Sequence, residues 1–280
     1  MHKELIGAMV TPFNNHDEID YDEVKKLLDI YNSDGHDAIV VAGTTGEESS
    51  LSLKEKIELV NFALNNTNLK IIVGVVENNT KKAIEQIELL NSLPIYAVLV
   101  ALPYYNKPPQ RGIFLHFKKL LQASKHPIII YNVPSRCGVS IDYQTIKKLL
   151  HLSDKLIGIK ECSGDFNLIR LLKKNYPKFK VYYGNDKNFY KSLVAGADGI
   201  ISVSSVLYAK DYIQLIKDYE DGFKNELLVE YLNLIGDLIA FETNPIPIKY
   251  LLSKHGFSSM NLRLPLVKLT LEGEKALDIL

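Results

Sequence analysis

Eight short apolar runs recur along the chain, and segments with helical periodicity separate them. The runs are nearly continuous in Ile, Val and Leu, which is typical of strands that are covered on both faces. They predict strands over 5–10, 38–42, 70–76, 96–102, 127–131, 156–160, 180–183 and 199–202. Strands that alternate with helices in this way indicate successive βα units and a parallel sheet.

Capping patterns and apolar stripes indicate the helices between these strands. Asp20 and Ser52 each precede a glutamate by three residues, which is the capping-box spacing at the start of a helix. After Ser52, the residues Ile57, Val60 and Leu64 recur at helical spacing. We interpret such stripes as the faces with which helices pack onto the sheet.

The pattern changes after residue 202. The remaining chain has no convincing strand and predicts helices over 209–220, 223–241, 246–255 and 265–279. Because eight strands can close a barrel, we predict an α/β fold, a (β/α)8 TIM barrel with an appended C-terminal helical layer. We expect a catalytic barrel in residues 1–221 and a helical extension, packed on the barrel, in residues 222–280.

The composition is that of an ordinary globular protein and narrows the range of partners. Of the 280 residues, 46% are hydrophobic and 24% are charged, which is enough to bury a sizeable core. Lysine plus arginine and aspartate plus glutamate both number 33. Because there is no basic stripe, neither nucleic acid nor an anionic membrane is an expected partner.

No sequence pattern indicates a metal or a cofactor. Loops of the GxGxxG or GxxxxGK[ST] type are missing, and the seven histidines never fall at HxxxH or HExxH spacing. Cys137 and Cys162 are too few for a disulfide framework and are consistent with a reducing compartment. The first residues lack a signal-peptide pattern, and no run approaches the roughly 18 apolar residues of a membrane span. We therefore expect a cytoplasmic protein.

Lys160 is the residue with the most informative position. It ends the apolar run 156–160, so its amine is either poorly solvated or reaches into a cavity, and both situations lower its pKa. A neutral lysine amine can attack a carbonyl carbon and form a Schiff base. Taken alone, such a lysine is more often a snorkelling residue at a strand edge.

Polar residues at other strand ends reverse that judgement, because the active site of such a barrel lies at the carboxyl ends of its strands. The turn Gly43-Thr44-Thr45-Gly46 offers hydroxyls and loop amides to a carboxylate or phosphate. Tyr131 ends the strand beside that of Lys160, within hydrogen-bonding reach of the amine or its adduct. Arg136 lies at the same face, where its fork would bind a second carboxylate. Individually these could be a tight turn, a core tyrosine and a solvated arginine.

Together the parts favour Schiff-base carbon–carbon chemistry on a small keto acid. A phosphosugar fits less well, because the loops after strands 7 and 8 contain no paired-glycine phosphate cup. Tyr104 and Tyr105 precede two prolines in what we interpret as a rigid aromatic loop.

Several short motifs follow one another along the chain: Gly43-Thr44-Thr45-Gly46-Glu47, Pro103-Tyr104-Tyr105-Asn106, Tyr131-Asn132-Val133-Pro134-Ser135-Arg136, Gly158-Ile159-Lys160-Glu161, Gly199-Ile200-Ile201-Ser202-Val203, Glu242-Thr243-Asn244-Pro245-Ile246-Pro247-Ile248-Lys249 and Leu262-Arg263-Leu264-Pro265. Together they resemble the dihydrodipicolinate synthase family of the pyruvate-dependent class I aldolase superfamily, which also includes N-acetylneuraminate lyase. The resemblance covers the whole chain.

The resemblance implies four catalytic residues. Lys160 would condense with pyruvate, and Tyr131 would relay protons during imine formation. Thr44 would link Tyr131 to Tyr105, which in this family comes from a neighbouring subunit. The resemblance therefore implies a homo-oligomer, a dimer or a tetramer.

The resemblance also implies how the substrates are held. Thr45 would bind the carboxylate of pyruvate, and Arg136 that of aspartate semialdehyde. Gly184 and Ile201 match backbone positions that line the pyruvate pocket. The implied enzyme needs no cofactor.

The implied reaction condenses pyruvate with L-aspartate 4-semialdehyde to give 4-hydroxy-tetrahydrodipicolinate, a step of lysine and diaminopimelate biosynthesis. One alternative is a sister aldolase, an N-acetylneuraminate lyase or a keto-deoxy-sugar-acid aldolase. These enzymes generally carry Ser in place of Thr45 and lack Arg136, so both residues favour the synthase. A second alternative is a barrel that binds a small ligand without turnover.

Some residues depart from the family pattern. Glu48 stands where family members usually have Ser. Leu53, Lys56 and Lys82 occupy positions that hold His, His and Glu in members inhibited by lysine. An ammonium group at position 82 would repel a lysine ligand, so we expect weak or absent lysine feedback.

Overall fold

In the structure, a computed structural model that describes residues 2–280, eight parallel strands close into one barrel. Each strand pairs with the next along the chain, and the last pairs with the first. The strands are β1 (Glu4–Ala8), β2 (Ala38–Val41), β3 (Lys70–Val75), β4 (Ala97–Ala101), β5 (Ile128–Asn132), β6 (Leu156–Glu161), β7 (Lys180–Tyr183) and β8 (Gly199–Ser202). The predicted eight-stranded barrel is confirmed.

The helices between the strands cover the outside of the barrel. They are α1 (Tyr21–Ser33), α2 (Leu53–Asn66), α3 (Thr80–Leu90), α4 (Gln110–Ala123), α5 (Pro134–Cys137), α6 (Tyr143–Leu150), α7 (Phe166–Asn175), α8 (Phe189–Val194) and α9 (Ser205–Glu220). Asp20 caps α1 by accepting from the backbone N–H of Glu23, and Ser52 and Glu55 form a complete capping box at α2. Both predicted helix starts are confirmed.

The appended C-terminal helical layer is also confirmed, with α10 (Glu226–Ile239), α11 (Ile246–Lys254) and α12 (Leu271–Leu277). The prediction of a helix from residue 265 is wrong at its start. Helix α12 begins only at Leu271, because the Thr270 side chain caps it by accepting from the backbone N–H of Gly273. The Glu242 carboxylate in turn accepts from the backbone N–H of Thr270, 3.0 Å away.

The apolar strand residues are buried on both faces of the barrel wall and form the core of the protein. Ile39, Val73, Val98, Ile129 and Ile200 are all fully buried. Burial of each such side chain contributes about 1.5–3 kcal/mol to the stability of the fold. Among residues 2–280, no helix has the length and apolar content needed to cross a membrane.

Candidate active site

Lys160 and Tyr131 meet at the carboxyl ends of β6 and β5. The two residues are register partners in the parallel ladder, which places the Lys160 Nζ 4.8 Å from the centroid of the Tyr131 ring. Only 6% of Lys160 is exposed. Burial lowers the pKa of the Lys160 amine, although Cys162 and Asp186 nearby act in the opposite direction. The amine therefore lies in the environment that the sequence predicted.

The phenol of Tyr131 forms the link from the lysine to the loop after β2. Its hydroxyl lies beside the side chain of Thr44, which is half-buried. Burial raises the pKa of Tyr131, and the neighbouring Thr44 side chain lowers it by a smaller amount. The phenol is consequently protonated at neutral pH and is able to donate its proton.

Gly184 makes room for the lysine side chain. A Cβ atom at this position would lie 2.7 Å from the Lys160 Cε and 2.1 Å from the Cys162 Sγ. A Cβ so close to these two atoms would force both side chains to shift. Glycine is therefore the residue that allows Lys160 to extend into the cavity.

A cavity of about 930 Å³ opens above these residues and brings most of the predicted site together. Its wall includes Thr45, Tyr131, Arg136, Lys160 and Gly184. Thr45 is buried, whereas Arg136 is exposed at the rim, so the cavity has one carboxylate-binding candidate at its base and another at its mouth.

Three predicted residues do not line this cavity: Thr44, which lies beside Tyr131 instead, Ile201 and Tyr105. Ile201 is fully buried on β8, and the cavity wall from this part of the chain is formed by Val203 instead. Tyr105 lies on the loop after β4 with 88% of its surface exposed. Within one chain, Tyr105 therefore contributes nothing to the site.

Asp186 and Asn244 line the same cavity, and the sequence had assigned neither a role. Asp186 is buried and accepts hydrogen bonds from the Ser204 hydroxyl at 2.7 Å and the Tyr212 hydroxyl at 2.8 Å. The only sequence signal for Asp186 was its position in the segment Gly184-Asn185-Asp186, which follows a predicted strand.

Asn244 connects the two carboxylate-binding candidates. Its Nδ2 donates to the Thr45 Oγ1 at 3.0 Å, and its backbone oxygen accepts from the Arg136 Nη2 at 3.2 Å. Its Oδ1 is buried and, within residues 2–280, has no hydrogen-bond partner. No local pattern could have indicated this role, because Asn244 and Thr45 are 199 residues apart.

No cluster of three or more His, Cys, Asp or Glu side chains in residues 2–280 is arranged to hold a metal ion. A buried lysine amine beside a phenol, at the carboxyl ends of (β/α)8 barrel strands, is the site of a Schiff-base-forming class I aldolase.

The chain belongs to the dihydrodipicolinate synthetase family, whose model matches residues 1–280. The resemblance drawn from the motifs is thereby confirmed. A protein named 4-hydroxy-tetrahydrodipicolinate synthase from Synechococcus sp. (strain JA-2-3B'a(2-13)) is 37% identical over 270 residues, covering 95% of this chain and 88% of that protein.

Solved structures show the same relationship. The 4-hydroxy-tetrahydrodipicolinate synthase from the thermoacidophilic methanotroph Methylacidiphilum fumariolicum SolV matches with a TM-score of 0.95 and 33% identity, covering 100% of this chain and 94% of that one. The chloride-inhibited dihydrodipicolinate synthase from Acinetobacter baumannii, complexed with pyruvate, matches with a TM-score of 0.91 and 32% identity, covering 100% and 97% of the two chains.

Proposed function

We propose that this protein is a lyase that condenses pyruvate with L-aspartate 4-semialdehyde through a Schiff base, giving 4-hydroxy-tetrahydrodipicolinate. The observation that carries the proposal is the buried amine of Lys160, 4.8 Å from the Tyr131 ring, inside a cavity. The names of the relatives support the same reaction. The pyruvate complex of the Acinetobacter baumannii protein supports pyruvate as the keto-acid substrate.

The first step joins pyruvate to Lys160. The neutral amine attacks the keto carbon while Tyr131 donates its proton to the keto oxygen, which gives a carbinolamine. The Tyr131 phenolate then takes a proton from the nitrogen and passes it to the new hydroxyl, which leaves as water, so that an iminium and a phenolate remain. Thr44, beside the Tyr131 hydroxyl, links this phenol to Tyr105 in the proposed relay. The Thr45 hydroxyl, buried at the base of the cavity, binds the carboxylate of pyruvate.

The second step forms the carbon–carbon bond. The iminium withdraws electrons from the pyruvate methyl group, so that this group loses a proton to the Tyr131 phenolate and becomes the nucleophilic end of an enamine. The enamine attacks the aldehyde carbon and the aldehyde oxygen takes a proton from Tyr131, while Arg136 at the rim binds the carboxylate of the semialdehyde. The amine of the product then attacks the imine carbon, closes the ring and releases Lys160 as a free amine.

Tyr105 enters this proposal through a second copy of the chain. Its exposed side chain lies on the loop after β4, held in a left-handed conformation with a φ of 72°. We assign it to the site of a partner subunit in a homo-oligomer, a dimer or a tetramer, where it completes the proton relay with Thr44.

The barrel, residues 1–221, and the extension, residues 222–280, act as one catalytic unit in this proposal. Asp221 caps the C-terminus of α9, which marks the division between them. The hydrogen bond between Asn244 and Thr45 supports their joint action, because it connects the extension to the carboxylate site. The free thiols of Cys137 and Cys162 support a cytoplasmic location.

The size of the cavity favours one second candidate, a sister aldolase that cleaves a longer sugar acid. At about 930 Å³, the cavity is at the upper end of the usual range for small-molecule sites. Turnover should therefore be compared for pyruvate with aspartate semialdehyde and for keto-deoxy sugar acids. Faster turnover of the semialdehyde supports the synthase, and faster cleavage of a sugar acid overturns it in favour of the sister enzyme.

A further inference from the structure

The loop after β2, which carries both threonines of the site, is fixed to the rest of the protein at four consecutive residues. Each of these residues contacts a different element through a buried or half-buried polar group. The pairs are Thr45 with Asn244, Gly46 with Thr11, Glu47 with Lys249 and Glu48 with Lys56.

The pair between Glu47 and Lys249 is the most deeply buried of these contacts. The Lys249 Nζ lies 2.5 Å from the Glu47 Oε1, and the two side chains are 1% and 0% exposed. The Glu47 Oε2 also accepts from the backbone N–H of Arg263, 3.1 Å away. Glu47 itself adopts a left-handed conformation, with φ 53° and ψ 40°, which a glutamate rarely does without such restraint.

Lys249 is held rigidly on α11. Its Nζ donates to the backbone oxygen of Asn261 at 2.7 Å and lies 4.4 Å from the centroid of the Phe13 ring. Burial lowers the pKa of Lys249 to about 8, although Glu47 acts against this shift. Replacing a buried ion pair by apolar residues is often neutral for stability, so stability alone does not account for this pair.

The position of the Glu47–Lys249 pair connects it to the candidate active site. Helix α11 begins two residues after Asn244, and Asn244 binds Thr45 while Lys249 binds Glu47. One short segment of the C-terminal layer therefore holds the loop at two points, on either side of Gly46. Movement of α11 relative to the barrel would displace the threonines as a unit.

We propose that Glu47 and Lys249 are positioning residues for the keto-acid site. Their ion pair holds the loop so that the Thr45 hydroxyl meets the substrate carboxylate and the Thr44 hydroxyl meets the Tyr131 phenol. This inference rests on the function proposed above, since it concerns the binding of pyruvate at the same site.

The test compares two double variants that each neutralise a buried ion pair. E47Q/K249M removes the pair beside the site. D198N/K173M removes a matched pair, with the Lys173 Nζ 2.7 Å from the Asp198 Oδ2, beside the amino end of β8 at the other end of the barrel. For wild type and both variants, the measurements are the thermal midpoint, the KM for pyruvate, kcat, and the pyruvate concentration that half-saturates borohydride trapping at Lys160.

We expect E47Q/K249M to fold and to raise the pyruvate KM and the trapping midpoint by roughly ten- to a hundredfold, the scale expected when a binding group is misplaced by about an ångström. We expect kcat to fall as well, because Thr44 moves together with Thr45, and D198N/K173M to keep the wild-type KM and kcat. An unchanged KM and trapping midpoint in folded E47Q/K249M would overturn the positioning role. Equal changes in both variants would also overturn it, because they indicate a general structural effect. If wild type itself gives no adduct at Lys160, the proposed function fails instead.

Discussion

The Lys160 Nζ lies 4.8 Å from the centroid of the Tyr131 ring because the two residues are register partners across β5 and β6. Strand pairing alone thus places a nucleophile beside a proton donor. Burial then acts on the two groups in opposite directions, lowering the pKa of the lysine and raising that of the tyrosine. Both shifts favour the neutral forms, which are the forms that the first step of Schiff-base formation requires.

Replacing Tyr131 by Phe should leave the fold intact and impair proton transfer. The Tyr131 hydroxyl lies beside Thr44 and the ring packs against Lys160, so only the hydroxyl is lost. We expect kcat to fall about a hundred- to ten-thousandfold, the usual contribution of a general acid or base. Steady-state kinetics with a thermal melt measure this. A folded Y131F enzyme with wild-type kcat would exclude the proposed relay.

Replacing Gly184 by Ala should displace the lysine. The new methyl group would lie 2.7 Å from the Lys160 Cε and 2.1 Å from the Cys162 Sγ. We expect kcat/KM to fall roughly ten- to a hundredfold, as for other misplaced catalytic groups. Gly112→Ala is the matched control, because its nearest neighbour outside the helix backbone would be the Pro108 Cβ at 3.3 Å and it does not line the cavity. Equal activity of G184A and G112A would contradict this account of Gly184.

Replacing Arg136 by Ala should weaken the binding of the aldehyde and spare that of pyruvate. The guanidinium is exposed at the cavity rim and keeps one bond to the backbone oxygen of Asn244. We expect the KM for aspartate semialdehyde to rise about ten- to a hundredfold, the equivalent of a lost charge-assisted hydrogen bond of about 1.5–3 kcal/mol. Normal turnover of the semialdehyde by R136A would contradict the proposal that Arg136 binds the carboxylate of this substrate.

Lysine at millimolar concentration should leave the activity unchanged. Position 56, which resemblance aligns with a histidine of lysine-inhibited members, holds Lys56, whose Nζ lies 2.7 Å from both Glu48 Oε1 and Gln86 Oε1. An ammonium group already occupies this position, and Lys82 adds a second positive charge that would repel the ligand. Initial rates with and without lysine measure this, and strong inhibition would refute it.

The strands could be predicted closely, because continuous Ile and Val runs in a closed parallel barrel carry a strong local signal. The start of α12 could not be predicted from the sequence. The apolar residues after Pro265 have a helix-like pattern, but the Thr270 side chain caps the helix and so determines that it begins at Leu271.

In the candidate site, the residues at strand ends were accessible to sequence reasoning, since topology alone brings strand ends together. Asn244 and Lys249 were not accessible in this way. Both reach the loop after β2 from the C-terminal layer, about 200 residues away along the chain. Contacts of that separation depend on how the layer packs on the barrel, which no local pattern specifies.

The most direct test of the account is mass spectrometry after incubation of the protein with pyruvate and sodium borohydride at neutral pH. Because burial lowers the pKa of Lys160, the neutral amine is available there, and the account predicts a reduced pyruvate adduct at Lys160 that is absent from K160M. No adduct, or an adduct on other lysines alone, would contradict it.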